Sequence, residues 1–503
     1  MAFLQASYSL SAELYINAKK ERMKTQAIAF LAYHKGINCR RCSFRSKRIS
    51  MRHNFLWKMC MKSSVSTEEC RETIESTSHF SARNSPETVF DVGVIGCGPA
   101  GLALATALSE RKLRVVCVDP QICKPWKNNY GVWLDQMESL NLSDCLYPVW
   151  SKTRVHIDNS RSRLLPFAYG RVDRVKMKQK LLNICKNSGV VFYEDSVENI
   201  TQEQSQYSCI TTSQKEKLFC RLVVDATGHS KGFVEFHTPH EPGFQVAYGI
   251  EAEVAQHPFP IDEMLLMDFR DCHMTGNMED KSQSSMFPTF LYAMPMNSTK
   301  IFLEETSLIS KPPVSFEHLK QRLLKRLDFL QIEVKSVMEE EFCLIPMGGS
   351  LPVLGQNVLG FGGSAGMVHP ATGYMFSRVM EMAPFLAKKI ENSIFHGENF
   401  SLTVSLWNEL WSCERILQRH FFQFGGEYLS KISLNEMRDF FWAFFMLPDK
   451  EWKDFLDFRL TSSRERLLFG LHLFWRTNAA LKFSLVKEAM LSGRLKLLKS
   501  VIL

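Results

Sequence analysis

No stretch of this 503-residue chain holds eighteen uninterrupted apolar residues. The longest apolar block, Phe440 to Leu447, is too short to span a bilayer. A secretory signal is also missing, because no uncharged apolar core precedes a small-residue cleavage site. The 14 cysteines form no framework. Cys39-x-x-Cys42 is the one close pair and has no second pair or histidine cluster beside it, so neither a metal site nor a disulfide scaffold is expected. Acidic residues are scarce at the amino end: Lys19, Lys20, Arg22, Lys24, Arg40, Arg41, Arg45, Lys47, Arg48 and Arg52 are opposed there only by Glu13 and Glu21. Much of the net charge of +8 sits in that segment. The remainder is nearly balanced, which argues against a nucleic-acid face and leaves no nucleic-acid partner expected.

What is present begins with a Ser-, Lys- and Arg-rich leader over residues 1–85, the composition of an organelle transit peptide or of a basic tail. The rest is long enough for two lobes with appendages. Its organising stretch is Phe90 to Gly101, in which an apolar β-rich run meets Gly96-Cys97-Gly98-Pro99-Ala100-Gly101 and a helical pattern (Leu102, Ala105, Leu108) follows. Gly96 permits the tight turn, Gly98 lets a pyrophosphate approach the backbone, and Gly101 lets helix and strand pack closely. The phosphates would rest on the free N–H groups of the helix start. A second strand, Leu113 to Val118, ends at Asp119, where a carboxylate can bond an adenosine ribose.

Two later elements repeat the strand-then-glycine pattern. Leu222 to Gly228 is a buried strand ending in an acidic turn at Asp225 and a glycine at Gly228. Val358 to Gly366 runs through Gly363 and Gly366, and His369 to Tyr374 follows with Gly373. It reads as strand, turn and helix start. Three such elements in this order point to FAD rather than a bare nicotinamide. The fold class expected is α/β: a Rossmann-like, FAD-binding, two-lobed flavoprotein with an inserted β-sheet substrate lobe and a helical C-terminal region. Gly363 stands where many related flavoproteins carry an aspartate. Arg171 and Arg174, after Tyr169-Gly170, are either a solvated helix start or cofactor contacts.

Between the second and third elements, Phe244 to Val254 and Phe290 to Glu304 alternate like strands. Pro288 to Pro295 and Phe302 to Thr306 suit a hairpin with Asn297-Ser298 in its turn. Glu304 and Glu305 would point to opposite faces, so at most one enters a given pocket. The pair is either a solvated strand edge or a source of one general acid. A carboxyl facing an apolar cavity keeps its proton near neutral pH.

Asn128 to Trp133, Tyr169 to Val172, Met267 to Asp271, Pro288 to Pro295, Phe302 to Thr306 and Met367 to Tyr374 together resemble the plant lycopene cyclases, over Phe90 to near the carboxyl end. The resemblance implies acid-initiated, redox-neutral closure of the linear ends of lycopene, with FAD active in its reduced form and NADPH as reductant. It puts the catalytic acid of the F-L-E-E-T motif on Glu304, with Glu305 the lesser candidate. Val224 to Gly228, Phe302 to Thr306 and Ala365 to Val368 resemble the β-ring branch, whereas Gly349 to Pro352 and Pro370 to Thr372 resemble the ε branch. Relatives that rearrange epoxycarotenoids to capsanthin-type ketones or neoxanthin share the chemistry. An FAD-dependent monooxygenase or a prenyl reductase is the rival from another reaction class.

The implied organisation is a plastid transit peptide at 1–85, a dinucleotide lobe at 86–240, a substrate lobe at 241–345, a return segment at 346–395 and helices at 396–503. In those helices Met437, Phe440, Phe441, Phe444 and Phe445 share one face, and Leu467, Leu468, Leu471, Phe474 and Trp475 another. Either is helical core or a membrane-facing stripe. Moving a carotene fully into water would cost ~30 kcal/mol at ~0.8 per buried group, so a plastid membrane surface is an expected partner. A homo-oligomer or a complex with other carotenoid enzymes is a further expectation.

Overall fold

The computed structural model describes residues 89–203, 207–229, 232–396 and 402–502. The expected leader and the Cys39–Cys42 pair lie outside the described residues.

The first sheet is built on β1 (Val89–Ile95), flanked in parallel by β2 (Val115–Val118) and, through the body of the chain, by a strand ending at Asp225. Between β2 and that strand come β3 (Gly131–Trp133), β4 (Leu146–Trp150), β5 (Lys152–His156), β6 (Ser162–Leu165), β7 (Tyr169–Val172), β8 (Val191–Tyr193), β9 (Val197–Glu203) and β10 (Tyr207–Thr212), and the strand itself is β11 (Lys217–Asp225). The order is β8-β2-β1-β11-β10-β9. The last three residues of β11 also pair in parallel with β17 (Val358–Gly360), so the third glycine element returns to the same edge as the first two. Covered on both faces, β2 reads as a continuous apolar run, and β1 does so apart from Asp91 near its start, which pairs with Arg114. Pro99 opens the following helix, Pro99–Ser109, where its missing N–H costs nothing. After β17 a short turn, Gly362–Ala365, ends at Gly366, and the long helix starts only at Phe376. The intervening loop folds on His369, whose N–H and carbonyl bond Tyr374 and Gly373.

The second sheet comprises β12 (Gly243–Val254), β13 (Glu263–Asp268), β14 (Thr289–Pro295), β15 (Lys300–Ser307) and β16 (Val334–Met347), in the order β16-β12-β15-β14-β13-β5-β6. β14 and β15 form the expected hairpin, with the Asn297 side chain accepting from the N–H groups of Thr299 and Lys300 at 2.9 and 2.7 Å. β5 and β6 join this sheet although they lie within the segment expected for the dinucleotide lobe. On its back face the helix Phe316–Phe329 sets Leu319, Leu323 and Leu327 against Val246, Ile250 and Leu303. The front face meets the C-terminal helices, whose Phe440, Phe441, Phe444 and Phe445 are buried with Phe290, Phe302 and Trp452. Capping boxes at Ser433 and Ser462 start two of those helices. Leu467, Leu468, Leu471 and Trp475 are exposed, so that stripe is not core. No described helix is long and apolar enough to cross a membrane.

Glu305 belongs to the back face. It is fully buried, accepting from Arg326 Nε and Nη2 at 2.7 and 2.8 Å and from the Thr289 hydroxyl. Burial alone would raise its pKa, but the Arg326 guanidinium holds it down at about 2. The stabilisation from this pair is complete above the ordinary carboxylate range and is lost as pH falls towards 2. Glu305→Gln leaves Arg326 charged and buried with the Arg270 carbonyl but no carboxylate against it, at a cost of ~3–5 kcal/mol. Urea unfolding at neutral pH should show that loss, and an unchanged midpoint would refute the account.

Candidate active site

A single cavity of about 1410 Å³ runs from the glycine turn after β1, along the front face of the second sheet, to the C-terminal helices. At the first end, Gly96, Gly98, Pro99, Ala100, Asp119, Gly228 and Gly363 line it. The Asp119 carboxylate accepts from the N–H groups of Cys97 and Gln121 at 2.8 and 2.6 Å, which fixes it at the end of β2 beside the turn.

Two glycines of the turn differ in what they avoid. A Cβ at Gly101 would stand 1.8 Å from the Gly96 carbonyl oxygen, so helix and strand could not pack. A Cβ at Gly98 would meet no protein atom within 4 Å, and its backbone (φ −69°, ψ −177°) suits any residue. The protein gives no reason for glycine at 98, whereas a ligand lying against the helix start would. The cradle therefore fits a dinucleotide.

Asp225, Arg171, Gly101 and Gly366 sit nearby without lining the cavity. The Asp225 carboxylate accepts from Thr227 N–H, Thr227 hydroxyl and Phe233 N–H at 2.8, 2.7 and 3.1 Å, tying down the turn after β11. Arg171 is buried, donating to Asn129 Oδ1 and to Glu251 at 2.8 and 2.6 Å. Gly101 and Gly366 shape their turns, and Gly373 lines the cavity further on, beside Gln245.

Strand alternation places Phe302, Glu304 and Thr306 of β15 on the cavity side and turns Glu305 away. Glu304 is half-buried because its exposed part faces the cavity lumen. It accepts from the Thr306 hydroxyl at 2.8 Å. Burial, then the nearby Glu341 carboxyl, pushes its pKa up to about 8. Tyr292 of β14 lies opposite it in the ladder, and Tyr292, Tyr169 and Tyr374 link their hydroxyls at 3.4 and 3.1 Å. Phe421, Phe441, Phe444 and Phe455 close the cavity from the helices. Leu471, Val486, Met490 and Leu498, all exposed, line its far end.

Sequence reasoning missed Glu341. It lies in the run Glu339-Glu340-Glu341, which reads as a solvated edge, although Cys343 and Ile345 at the next alternate positions mark the face it shares.

This arrangement, a parallel-sheet dinucleotide cradle opening onto a second sheet, defines the two-lobed flavoprotein fold. It matches a geranylgeranyl bacteriochlorophyll reductase-like protein of Thermoplasma acidophilum (TM-score 0.57, 12% identity, 82% of this chain and 98% of that one). It also matches a flavoprotein/dehydrogenase of Cytophaga hutchinsonii (TM-score 0.55, 13% identity, 80% and 99%). At the level of sequence the chain belongs to the lycopene cyclase family, whose profile, described as lycopene cyclase protein, covers residues 91–482. It is 41% identical over 478 residues to the chloroplastic lycopene beta cyclase of Solanum lycopersicum, spanning 92% of this chain and 95% of the relative. Identity to the Arabidopsis thaliana lycopene beta cyclase is 43% over 422 residues (83% of each). To the Solanum lycopersicum neoxanthin synthase it is 41% over 455 residues (90% of each).

The contrast between the two glycines is testable without any ligand. Gly98→Val should cost no more than about 1 kcal/mol, the scale of a helix-start substitution. Gly101→Val should fail to fold. Circular dichroism melts of the flavin-free proteins separate the two, and a Gly98→Val protein as damaged as Gly101→Val would contradict the open cradle.

Proposed function

We propose that this chain closes β-rings on the linear ends of lycopene at a plastid membrane surface, with Glu304 as the acid, FAD in the glycine cradle and NADPH as reductant. The observation that carries the reading is Glu304 itself: a carboxyl that keeps its proton at neutral pH, aimed into an aromatic cavity continuous with the dinucleotide cradle.

Glu304 would give its proton to the terminal double bond of the polyene. The next double bond attacks the resulting cation, a carbon–carbon bond closes the six-membered ring, and loss of a proton from a carbon beside the new cation leaves the ring olefin. No electrons are gained or lost overall. Tyr292, Phe302 and the phenylalanines of the helices line the cavity, and a polyene filling it would carry its cation among aromatic rings with water displaced. FAD bound in reduced form would supply negative charge opposite the cation in this poorly screened space, with NADPH keeping it reduced. The exposed Leu467, Leu468, Leu471 and Trp475 beside the far end of the cavity, with Lys482 and Lys487 close in sequence, support entry of a carotene from a lipid surface. The chloroplastic names of the relatives support the plastid.

At matched flavin content, Glu304→Gln should lower conversion of lycopene by ~10²–10⁴-fold, and Glu304→Asp should leave a small residue of activity, because proton transfer needs hydrogen-bond reach. Full activity in Glu304→Gln would remove this residue from the mechanism. Since the acid form of Glu304 is the active one, the rate should fall as pH rises through about 8; an alkaline limb centred instead near pH 4–5 would contradict the raised pKa. Gly98→Val should purify without flavin absorbance, and a full flavin complement would move the cofactor elsewhere. Products from epoxycarotenoids but not from lycopene would favour the neoxanthin synthase relatives, whose identity to this chain is equally high. NADPH consumed one-for-one with product would instead indicate a monooxygenase or reductase.

A further inference from the structure

Ring closure releases a proton, and by then Glu304 would have given up its own and become a carboxylate. We propose that Glu341 is the base that takes up that proton, so that Glu304 and Glu341 act as an acid–base pair on one substrate end group. The assignment rests on the cyclase reading above.

The sheet register carries it. Tyr292, Glu304, Gly249 and Glu341 form one row across β14, β15, β12 and β16, each paired with the next. Both glutamates line the cavity and only a glycine separates them. At ~4.8 Å per strand their Cα atoms lie roughly 10 Å apart, a span that suits a six-membered ring between two carboxyls. Gly249 keeps that span open: a Cβ there would stand 2.7 Å from the Phe302 ring and 3.2 Å from Glu304 Cβ.

Hydrogen bonding sets the two carboxyls to different tasks. Asn129 donates its backbone N–H and its Nδ2 to the two oxygens of Glu341, at 3.0 and 2.7 Å. Its Oδ1 is held by Arg171, so the amide cannot turn its oxygen towards Glu341. Arg171 is itself fixed by Glu251, which also binds Lys300 at 2.8 Å. Burial pushes the Glu341 pKa up, and the two Asn129 bonds and the Arg174 charge oppose that push by favouring the carboxylate. Glu304 receives one hydroxyl. The cycle balances: one proton leaves Glu304 for carbon, one leaves carbon for Glu341, and its return to Glu304 through exchange with water restores both groups.

The groups facing Glu304 are Thr306 on its own strand, Tyr292 on β14, and Glu341 and Cys343 on β16; Arg174, paired with Glu339 at 2.7 Å, acts on Glu341. With Glu341→Gln, lycopene turnover should fall by at least about 10²-fold. The surviving product should shift from the conjugated β-ring towards the ε-ring, formed when the proton is lost from the opposite ring carbon. The alkaline limb of the rate should move down by about one pH unit or more, because the like charge has gone. Glu341→Asp should keep the β-ring at reduced rate, and it serves as the second variant should the glutamine form not fold. Difference infrared spectroscopy reads the pair without turnover. The protonated carboxyl band that Glu304→Gln removes should titrate at lower pH in Glu341→Gln. A wild-type chain that closes no rings would overturn the cyclase reading, while this band still tests the coupling. Wild-type rate with β-rings alone, or a rate loss with unchanged products and an unmoved band, would reduce Glu341 to a structural residue and overturn the proposal.

Discussion

A carboxyl group taken out of water stays charged only if something compensates it, and this sheet places two adjacent glutamates on either side of that rule. Glu305 turns to the back face, where Arg326 meets it with two hydrogen bonds, and it remains ionised as part of the packing. Glu304 turns to the cavity, where its titratable neighbour is another carboxyl, and it keeps its proton. One residue of register would exchange their environments. The hairpin turn at Asn297 and the long pairing of β12 with β15 and β16 hold that register.

The rest of the molecule supplies surroundings in which a protonated Glu304 is useful. The first sheet brings three glycine turns to one end of the cavity, and the front of the second sheet supplies alternate residues of four strands as a wall. The C-terminal helices complete the enclosure with phenylalanines. Arg438 ties them to the sheet, donating to the Phe269 carbonyl and to Asp271 at 2.7 and 2.6 Å. Part of the Met267–Asp271 motif is thus a joint between the sheet and the helices, which explains its mixture of aromatic and charged residues.

Much of this was legible in the chain. Phe90 to Gly101 announces strand, turn and helix, and the alternation around Phe302 to Thr306 by itself separates the two glutamates. What stayed hidden depends on partners distant in sequence. Arg171 offers no sign that Asn129 and Glu251 occupy it, and the Asp225 turn needs Phe233 to be understood. Glu341 hides in an acidic run because only the register with Gly249 brings it alongside Glu304. Periodicity showed that Phe440 and Leu467 each belong to an apolar stripe, but not which stripe another element covers. The delayed start of the helix at Phe376 follows from the loop folding on His369, a local closure that the glycine spacing does not encode.

The central claim is that a proton from a solvent-exchangeable carboxyl enters the substrate and no net reduction occurs. Turnover of lycopene in D₂O, with mass analysis of the pigment and of NADPH consumed, tests it directly. The account predicts deuterium in the newly closed rings and far less than one NADPH oxidised per ring. Rings free of deuterium, or one NADPH oxidised for each, would contradict it.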